Sequence, residues 1–133
     1  MPACFVSLTG WFDLTVPVKA SAQGDPFLTP DWVRNRAKEY LAGKVPPTDP
    51  YVSPAYADLT GFPPMYLQLA QYDTMREGTL RLAENAVRDG VEVLLESWPG
   101  MIHGWHGLVN AGVPESLRAW QKIKDYVTSH IPA

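Results

Sequence analysis

Short, largely apolar runs alternate along the chain with longer segments of helical periodicity. The runs at residues 3–8, 65–70 and 91–98 are too short for helices and predict buried strands. Between residues 77 and 88 the apolar positions recur at intervals of three and four, which predicts an amphipathic helix. Strands that alternate with helices in this way favour an α/β fold with a parallel sheet.

Residues typical of helix ends mark the bounds of three helices. Thr29 is a good N-cap, with Pro30 at the first helical position and Gly43 at the end. Gly90 closes the second helix, and Pro114 begins the third. The apolar residues expected to face the core are Trp32, Val33, Ala37, Tyr40 and Leu41 in the first helix, Leu80, Ala83 and Val87 in the second, and Leu117, Trp120, Ile123 and Val127 in the third.

Two long segments carry the composition of loops. Residues 11–29 combine proline, glycine and aspartate, and residues 44–64 are dense in proline, with one short helical turn expected at Pro54 to Leu59. Loops of this length in a compact domain are usually functional.

Two of the predicted strands are followed by a polar residue. In a parallel α/β sheet, ligands bind beyond the carboxyl ends of the strands, which is where these residues lie. A right-handed crossover through residues 77–89 makes these two strands parallel neighbours, so Asp73 and His103 should emerge at the same rim. A carboxylate beside an imidazole is the orienting pair of a nucleophilic triad. From spacing alone, a capping aspartate and an unrelated loop histidine remain an open alternative.

Composition and charge narrow the classes of function. Residues 1–133 have the length of one domain, with 46% hydrophobic and 19% charged residues, which is ordinary for a globular protein. The net charge of -3 and the absence of charge runs argue against nucleic acid as a partner. No apolar stretch is long enough to span a membrane, and no signal peptide is evident, so a cytoplasmic location is the default expectation.

Other residues that could carry chemistry have simpler interpretations. Cys4 lies in an apolar run and is expected to be a buried core cysteine. His103 and His106 have a spacing that could share a metal, but no carboxylate cluster accompanies them, so we expect no metal or cofactor and place His106 in a pocket wall or the core. His130 suits the end of the last helix, and Asp13 is expected to tie down its loop.

Several stretches, in order and at matching spacing, resemble the hormone-sensitive-lipase-like branch of the α/β-hydrolases. They are Phe-Asp-Leu-Thr at 12–15, Asp-Pro-Phe-Leu-Thr-Pro at 25–30, Ser-Pro-Ala-Tyr-Ala-Asp-Leu-Thr-Gly-Phe-Pro-Pro at 53–64, Tyr-Asp-Thr-Met-Arg-Glu at 72–77, Gly-Val-Glu-Val at 90–93 and Trp-Pro-Gly-Met-Ile-His at 98–103. The resemblance covers residues 2–129. It implies about three parallel strands with flanking helices, the C-terminal half of an α/β-hydrolase sheet.

The resemblance also implies roles for particular residues. Asp73 would be the triad acid and His103 the general base in the hydrolysis of a small carboxylic ester, with no metal or cofactor. Residues expected on the substrate side are Trp11, Phe27, Ile102 and Trp105, with Trp32 as a further candidate. For the aromatic residues, packing in the core is an equal alternative. Thr74 departs from the proline or valine that many members carry, at a position without a chemical role.

The nucleophile of this family is missing from the chain. Its serine lies in a Gly-x-Ser-x-Gly elbow, and no serine here has glycine at both second-neighbour positions. Alone, the chain is therefore not expected to hydrolyse esters. Two hypotheses follow: part of an esterase that acts with its N-terminal half, or a non-catalytic α/β module for binding or assembly. The unpaired edge of strand 3–8 predicts association with the missing half or with a second copy.

Overall fold

The computed structural model describes residues 1–17 and 24–131. In this part of the chain a three-stranded sheet forms from β1 (Phe5–Leu8), β2 (Met65–Tyr72) and β3 (Val93–Ile102). The strands lie in the order β1-β2-β3, and both pairs are parallel. The predicted α/β class and the three parallel strands are confirmed.

Helices flank this sheet. They are α1 (Pro30–Leu41), α2 (Arg76–Arg88) and α3 (Pro114–His130), with short 3₁₀ segments at Pro54–Tyr56 and Trp105–Ala111. The second 3₁₀ segment was not predicted. Residues 18–23, part of the predicted irregular segment 11–29, lie outside the described residues. Within the described ranges, no helix combines the length and apolar character needed to cross a bilayer.

Local sequence explains most helix ends. The Thr29 hydroxyl accepts a hydrogen bond from the backbone N–H of Trp32, as expected of an N-cap. α1 ends at Leu41 with Ala42 as its C-cap, and Gly43 follows with φ of 66°, as predicted; Ala42 is itself left-handed, with φ of 50°. Gly90 follows α2 with φ of 79°, the conformation that a C′ glycine supplies.

The face of α2 that packs against the sheet differs from the prediction. Leu82, Ala83 and Ala86 are buried, whereas Val87 is 63% exposed and Leu80 only half-buried. Two of the three buried residues are alanines, and a hydrophobicity pattern gives small residues little weight. The predicted stripe was therefore rotated away from the true interface.

The predictions for the other two helices are right only in part: Val33, Ala37 and Ile123 are buried as predicted, and other predicted core residues are not. In α1 the predicted core residues Trp32 and Tyr40 are exposed, whereas Val33 is buried. In α3 both Leu117 and Trp120 are largely exposed, and the core contacts are made by Ser116, Ala119 and Ile123. Large apolar residues on both sides of a helix make its buried face ambiguous in sequence.

The two faces of β2 carry different chemistry. Met65 and Leu67 join the apolar cluster beneath α2. On the opposite face Tyr66 packs against Tyr126 of α3, with ring centroids 5.0 Å apart, and Gln68 lies beside it at the next alternate position. All four β2 residues are essentially inaccessible to solvent, so the polar groups on the α3 face need partners within the protein.

β1 forms one edge of the described sheet. It pairs with β2 alone, and Ser7 is its one buried residue. Cys4, which precedes it, is half-buried rather than buried as predicted, because an edge strand is covered less than a central one.

Candidate active site

The structure brings together the two residues that the sequence analysis placed at one rim of the sheet. Tyr72, the last residue of β2, is paired with Ile102, the last residue of β3. The residues that follow, Asp73 and His103, therefore leave the sheet side by side. Asp73 Oδ1 lies 3.0 Å from His103 Nδ1, which is hydrogen-bond distance.

An irregularity in β3 makes this pairing possible. The register shifts between the pairs Ala70–Trp98 and Tyr72–Ile102, so that one residue of β2 faces three of β3. Gly100 within the excursion has φ of 76°, and its N–H donates to Gln71 Oε1 at 2.8 Å. The predicted strand ended at Trp98, whereas β3 continues through Pro99 and Gly100 to Ile102.

Asp73 is fully buried, and backbone contacts fix its position. Its Oδ1 atom accepts the N–H of Met75 at 2.8 Å in addition to the His103 contact. The next residue, Thr74, donates its N–H to Asp25 Oδ2 at 3.2 Å and its hydroxyl to the carbonyl of Leu28. The acid therefore lies between the start of α2 and a turn in the segment before α1.

His103 is the more accessible member of the pair, with its side chain 28% exposed. Burial acts to lower the pKa of His103, but the hydrogen bond and charge of Asp73, helped by the charge of Asp25, raise it above its ordinary value. With Nδ1 bonded to the carboxylate, Nε2 is the nitrogen left to exchange a proton with another group.

His106 lies in the core, one of the two places expected for it. It is 4% exposed, its ring stacks on Trp105 with centroids 3.8 Å apart, and its Nε2 lies 2.7 Å from Gln68 Oε1. Burial, and then the nearby His103, lower the pKa of His106 to about 4. Among the described residues, no three histidine, cysteine or carboxylate side chains are grouped so as to hold a metal ion.

The residues expected on the substrate side occupy different environments. Phe27 is 62% exposed and Ile102 is half-buried beside the pair. Trp11 is half-buried and donates its indole N–H to the carbonyl of Asp13 at 3.0 Å. Trp105 is completely buried, packed with Trp98 beneath the sheet, so we do not retain it among the proposed substrate contacts.

A large concavity among the described residues lies away from the pair. It is an apolar groove of about 540 Å³ lined by aromatic and aliphatic side chains that include Phe5, Phe12, Phe62 and Leu82. Neither Asp73 nor the expected substrate residues line this groove. Its volume alone therefore does not make it the site of chemistry.

Asp13 has the loop-fixing contacts that were expected of it. Its Oδ1 accepts the N–H and the hydroxyl of Thr15 at 2.9 and 2.6 Å, and its Oδ2 lies 2.5 Å from the guanidinium of Arg81 on α2. Sequence reasoning did not identify this ion pair or the contact between Asp25 and Thr74, because each connects segments that are far apart in the chain.

Comparison with known proteins agrees with the fold and the motifs. The α/β-hydrolase fold family matches residues 1–107. An acetyl-hydrolase of Streptomyces hygroscopicus is 34% identical over 123 residues, covering 90% of this chain and 40% of that protein. An esterase of Acinetobacter venetianus is 28% identical over 132 residues, covering 97% of this chain and 43% of that protein. The chain thus spans about two fifths of the length of these relatives.

Solved structures give the same result. A hormone-sensitive lipase from a metagenome library superposes with a TM-score of 0.90 at 29% identity, over 98% of this chain and 45% of that chain. The hormone-sensitive-lipase homologue EstE7, also from a metagenome library, superposes with a TM-score of 0.91 at 29% identity, over 99% of this chain and 46% of that chain. The chain therefore belongs to the α/β-hydrolase fold family, on its hormone-sensitive-lipase-like, esterase and lipase branch.

Proposed function

We propose that the chain supplies the acid and the general base of a serine esterase that hydrolyses small carboxylic esters. The observation that carries this proposal is the 3.0 Å contact between Asp73 and His103 at the carboxyl ends of neighbouring parallel strands. The names of the relatives, an acetyl-hydrolase and an esterase, support the same class of reaction. The pair geometry favours this function over a purely non-catalytic module.

In the proposed reaction His103 Nε2 removes the proton from a serine hydroxyl as the serine oxygen attacks the ester carbonyl. The imidazolium then gives that proton to the alcohol oxygen, the ester C–O bond breaks, and an acyl-enzyme remains. In the second half His103 deprotonates a water molecule that attacks the acyl carbonyl, and returns the proton to serine as the carboxylic acid leaves. Asp73 holds the Nδ1–H and stabilises the imidazolium.

The serine must come from outside this chain. No Gly-x-Ser-x-Gly sequence occurs among its 133 residues, and the chain spans about two fifths of its relatives. The proposed partner is the nucleophile-bearing part of such an esterase, either joined to this chain or bound to it. The free edge of β1 is the place where a neighbouring strand would continue the sheet.

A chimera tests the proposal directly. The part of the Acinetobacter venetianus esterase that precedes the matched region would be fused to residues 1–133 and assayed with p-nitrophenyl acetate and butyrate. We expect turnover in the chimera and none in the isolated chain. His103→Ala should reduce kcat/KM by about a hundredfold or more, since this is typical of a lost general base.

His130→Ala is the matched control, because this histidine lies at the far end of α3 and bonds only locally to Tyr126 and Ser129. It should leave the rate unchanged. A cooperatively folding chimera that hydrolyses ester equally well with and without His103 would refute the proposed role.

A further inference from the structure

Thr9, the residue directly after β1, has a backbone conformation that its side chain disfavours. Its φ is 54°, in the left-handed region, where a β-branched residue is a genuine outlier. Thr9 is also buried, with 2% of its surface exposed. Outliers of this kind persist where the surrounding structure fixes them, and they cluster at functional sites.

The left-handed conformation directs the Thr9 hydroxyl toward the loop after β3. That hydroxyl donates to the carbonyl of Leu8 at 2.7 Å and accepts the backbone N–H of Gly104 at 3.2 Å. The backbone N–H of Thr9 is bonded to the carbonyl of Gln68 at 3.1 Å. The Thr9 oxygen that accepts the N–H of Gly104 is therefore held in place by the hydrogen bond between Thr9 and β2. The hydroxyl hydrogen of Thr9 is donated to the carbonyl of Leu8, so this oxygen acts toward Gly104 only as an acceptor.

Gly104 is the residue next to His103, and the segment around it is fixed on both sides. Upstream, Ile102 is the last residue paired with β2. Downstream, His106 bonds to Gln68. Between these two contacts, the Thr9 hydroxyl accepts the N–H of Gly104, directly after His103, and the Ser116 hydroxyl donates to the carbonyl of Trp105.

We propose that Thr9 is a positioning residue for His103, holding the Gly104 N–H so that the imidazole meets Asp73. This inference rests on the proposed function only in that His103 would then be the general base; the positioning itself concerns the pair in this chain. The hydroxyl explains why the corner carries a threonine rather than a glycine, which would adopt the same φ without strain.

The packing around the turn after β1 excludes a side chain at position 10. A Cβ atom at Gly10 would lie 2.4 Å from the ring of Phe12 and 2.7 Å from Ser7 Oγ. Position 10 therefore requires glycine, and at this corner it is the side chain of Thr9 that reaches the N–H of Gly104.

Three substitutions separate the hydroxyl from the backbone. Thr9→Ser keeps the hydroxyl, Thr9→Ala removes it and keeps a Cβ, and Thr9→Gly removes both it and the left-handed strain. Thr15→Ala is the control, because the Thr15 hydroxyl binds Asp13 away from the pair. The readouts are the pKa of His103 from NMR titration of its ring proton in the 133-residue chain and the thermal midpoint of each variant.

The charged or titratable groups that act on His103 are Asp73, Asp25 and His106, and none is altered by these substitutions. We expect the pKa of His103 to be unchanged in Thr9→Ser and Thr15→Ala. In Thr9→Ala and Thr9→Gly it should fall by about half a unit or more, as the contact with Asp73 loosens. The thermal midpoint of Thr9→Gly should be no lower than that of Thr9→Ala. A fall in the pKa of His103 in both variants would then not be explained by a loss of stability.

An unchanged pKa of His103 in both Thr9→Ala and Thr9→Gly would overturn the inference, whatever their thermal midpoints. In the chimeric esterase the same two variants should lose about tenfold in kcat with little change in KM. If the pKa of His103 falls as expected in both Thr9 variants but the parent chimera is inactive, the proposed function is refuted and the positioning role stands. If the chimera is active but the pKa of His103 is unchanged in both variants, the positioning role is refuted and the proposed function stands.

Discussion

The Nε2 atom of His106 lies 2.7 Å from the Oε1 atom of Gln68, on the sheet face that α3 covers. An amide oxygen only accepts hydrogen bonds, so Nε2 carries a proton. The pKa of His106, which burial lowers to about 4, makes the ring neutral at pH 7. Gln68 in turn donates to the Tyr66 hydroxyl at 2.5 Å, and Tyr66 donates to Glu96 at 2.5 Å. A continuous line of hydrogen bonds therefore joins the buried histidine to a carboxylate near the surface.

This arrangement predicts that acid destabilises the fold through His106. Burial, with His103 nearby, lowers its pKa from 6.5 to about 4, so the unfolded chain binds the proton more readily between these values. The free energy of unfolding should therefore fall as the pH drops from about 6.5 toward 4, by up to about 3 kcal/mol from this group. His103, with its raised pKa, contributes stability that is fully present below pH 6.5 and lost as the pH rises through its folded value.

Urea unfolding between pH 7 and 5 measures the effect of His106, above the range where carboxylates dominate. His106→Gln should flatten the slope of stability against pH in this window, even if it lowers stability overall. His130→Gln, with its ring bonded locally at the end of α3, should keep the parent slope. Equal slopes in the parent and His106→Gln would show that the histidine is not held neutral.

Asp73→Asn should lower the pKa of His103 below its value in the parent chain. The asparagine oxygen could still accept the Nδ1–H, but the negative charge would be gone and burial would then dominate. NMR titration of the ring proton measures this directly. Asp31→Asn is the control, since Asp31 is 91% exposed on α1, and it should leave the pKa of His103 unchanged. A His103 pKa that is the same in all three proteins would contradict the role given to Asp73.

The parts of the fold that could be predicted are those fixed by local chemistry. Thr29 and Gly90 mark helix ends because capping is decided by neighbouring residues. Asp73 and His103 could be assigned to one rim because parallel strands with a right-handed crossover must present their carboxyl ends together.

The parts that could not be predicted depend on contacts between distant segments. β3 continues past Pro99 because Gln71 holds the excursion at Gly100, and Trp105 is buried because α3 covers it through Ala119. The left-handed turn at Thr9 has no signature in sequence, since threonine rarely adopts it. Packing and strain of this kind appear only once the chain is folded.

Gly78→Ala should destabilise the protein despite the higher helix propensity of alanine. A Cβ at Gly78 would lie 3.0 Å from the Cβ and 3.2 Å from the backbone N of Asp13. Asp13 is held by Thr15 and Arg81 and has little freedom to move away. Overpacking of about 1–3 kcal/mol should outweigh a propensity gain of up to about 1 kcal/mol.

Urea unfolding of Gly78→Ala against Glu84→Ala, an exposed position on the same helix, tests this. The first should lower the free energy of unfolding, and the second should change it little. A more stable Gly78→Ala would mean that the Asp13 loop yields more easily than its hydrogen bonds suggest.

The free edge of β1 predicts that the isolated chain associates with itself. The backbone N–H of Phe5 donates to the carbonyl of Pro64, just before β2, and that of Thr9 donates to Gln68 in β2. Alternate N–H groups of a strand point to opposite sides. The N–H groups of Val6 and Leu8 therefore lie on the edge away from β2, where they can template another strand. Proline at position 6 removes one of these donors without removing a bond to β2.

Sedimentation velocity over a hundredfold range of concentration measures the association. The parent chain should shift to larger species as concentration rises, and Val6→Pro should shift less while keeping a cooperative melt. Ser7→Pro is the matched control, because its N–H faces β2, and it should instead lower the thermal midpoint. A parent chain that stays monomeric throughout would show that the β1 edge does not recruit a second copy, and the interface would then be reserved for the nucleophile-bearing partner.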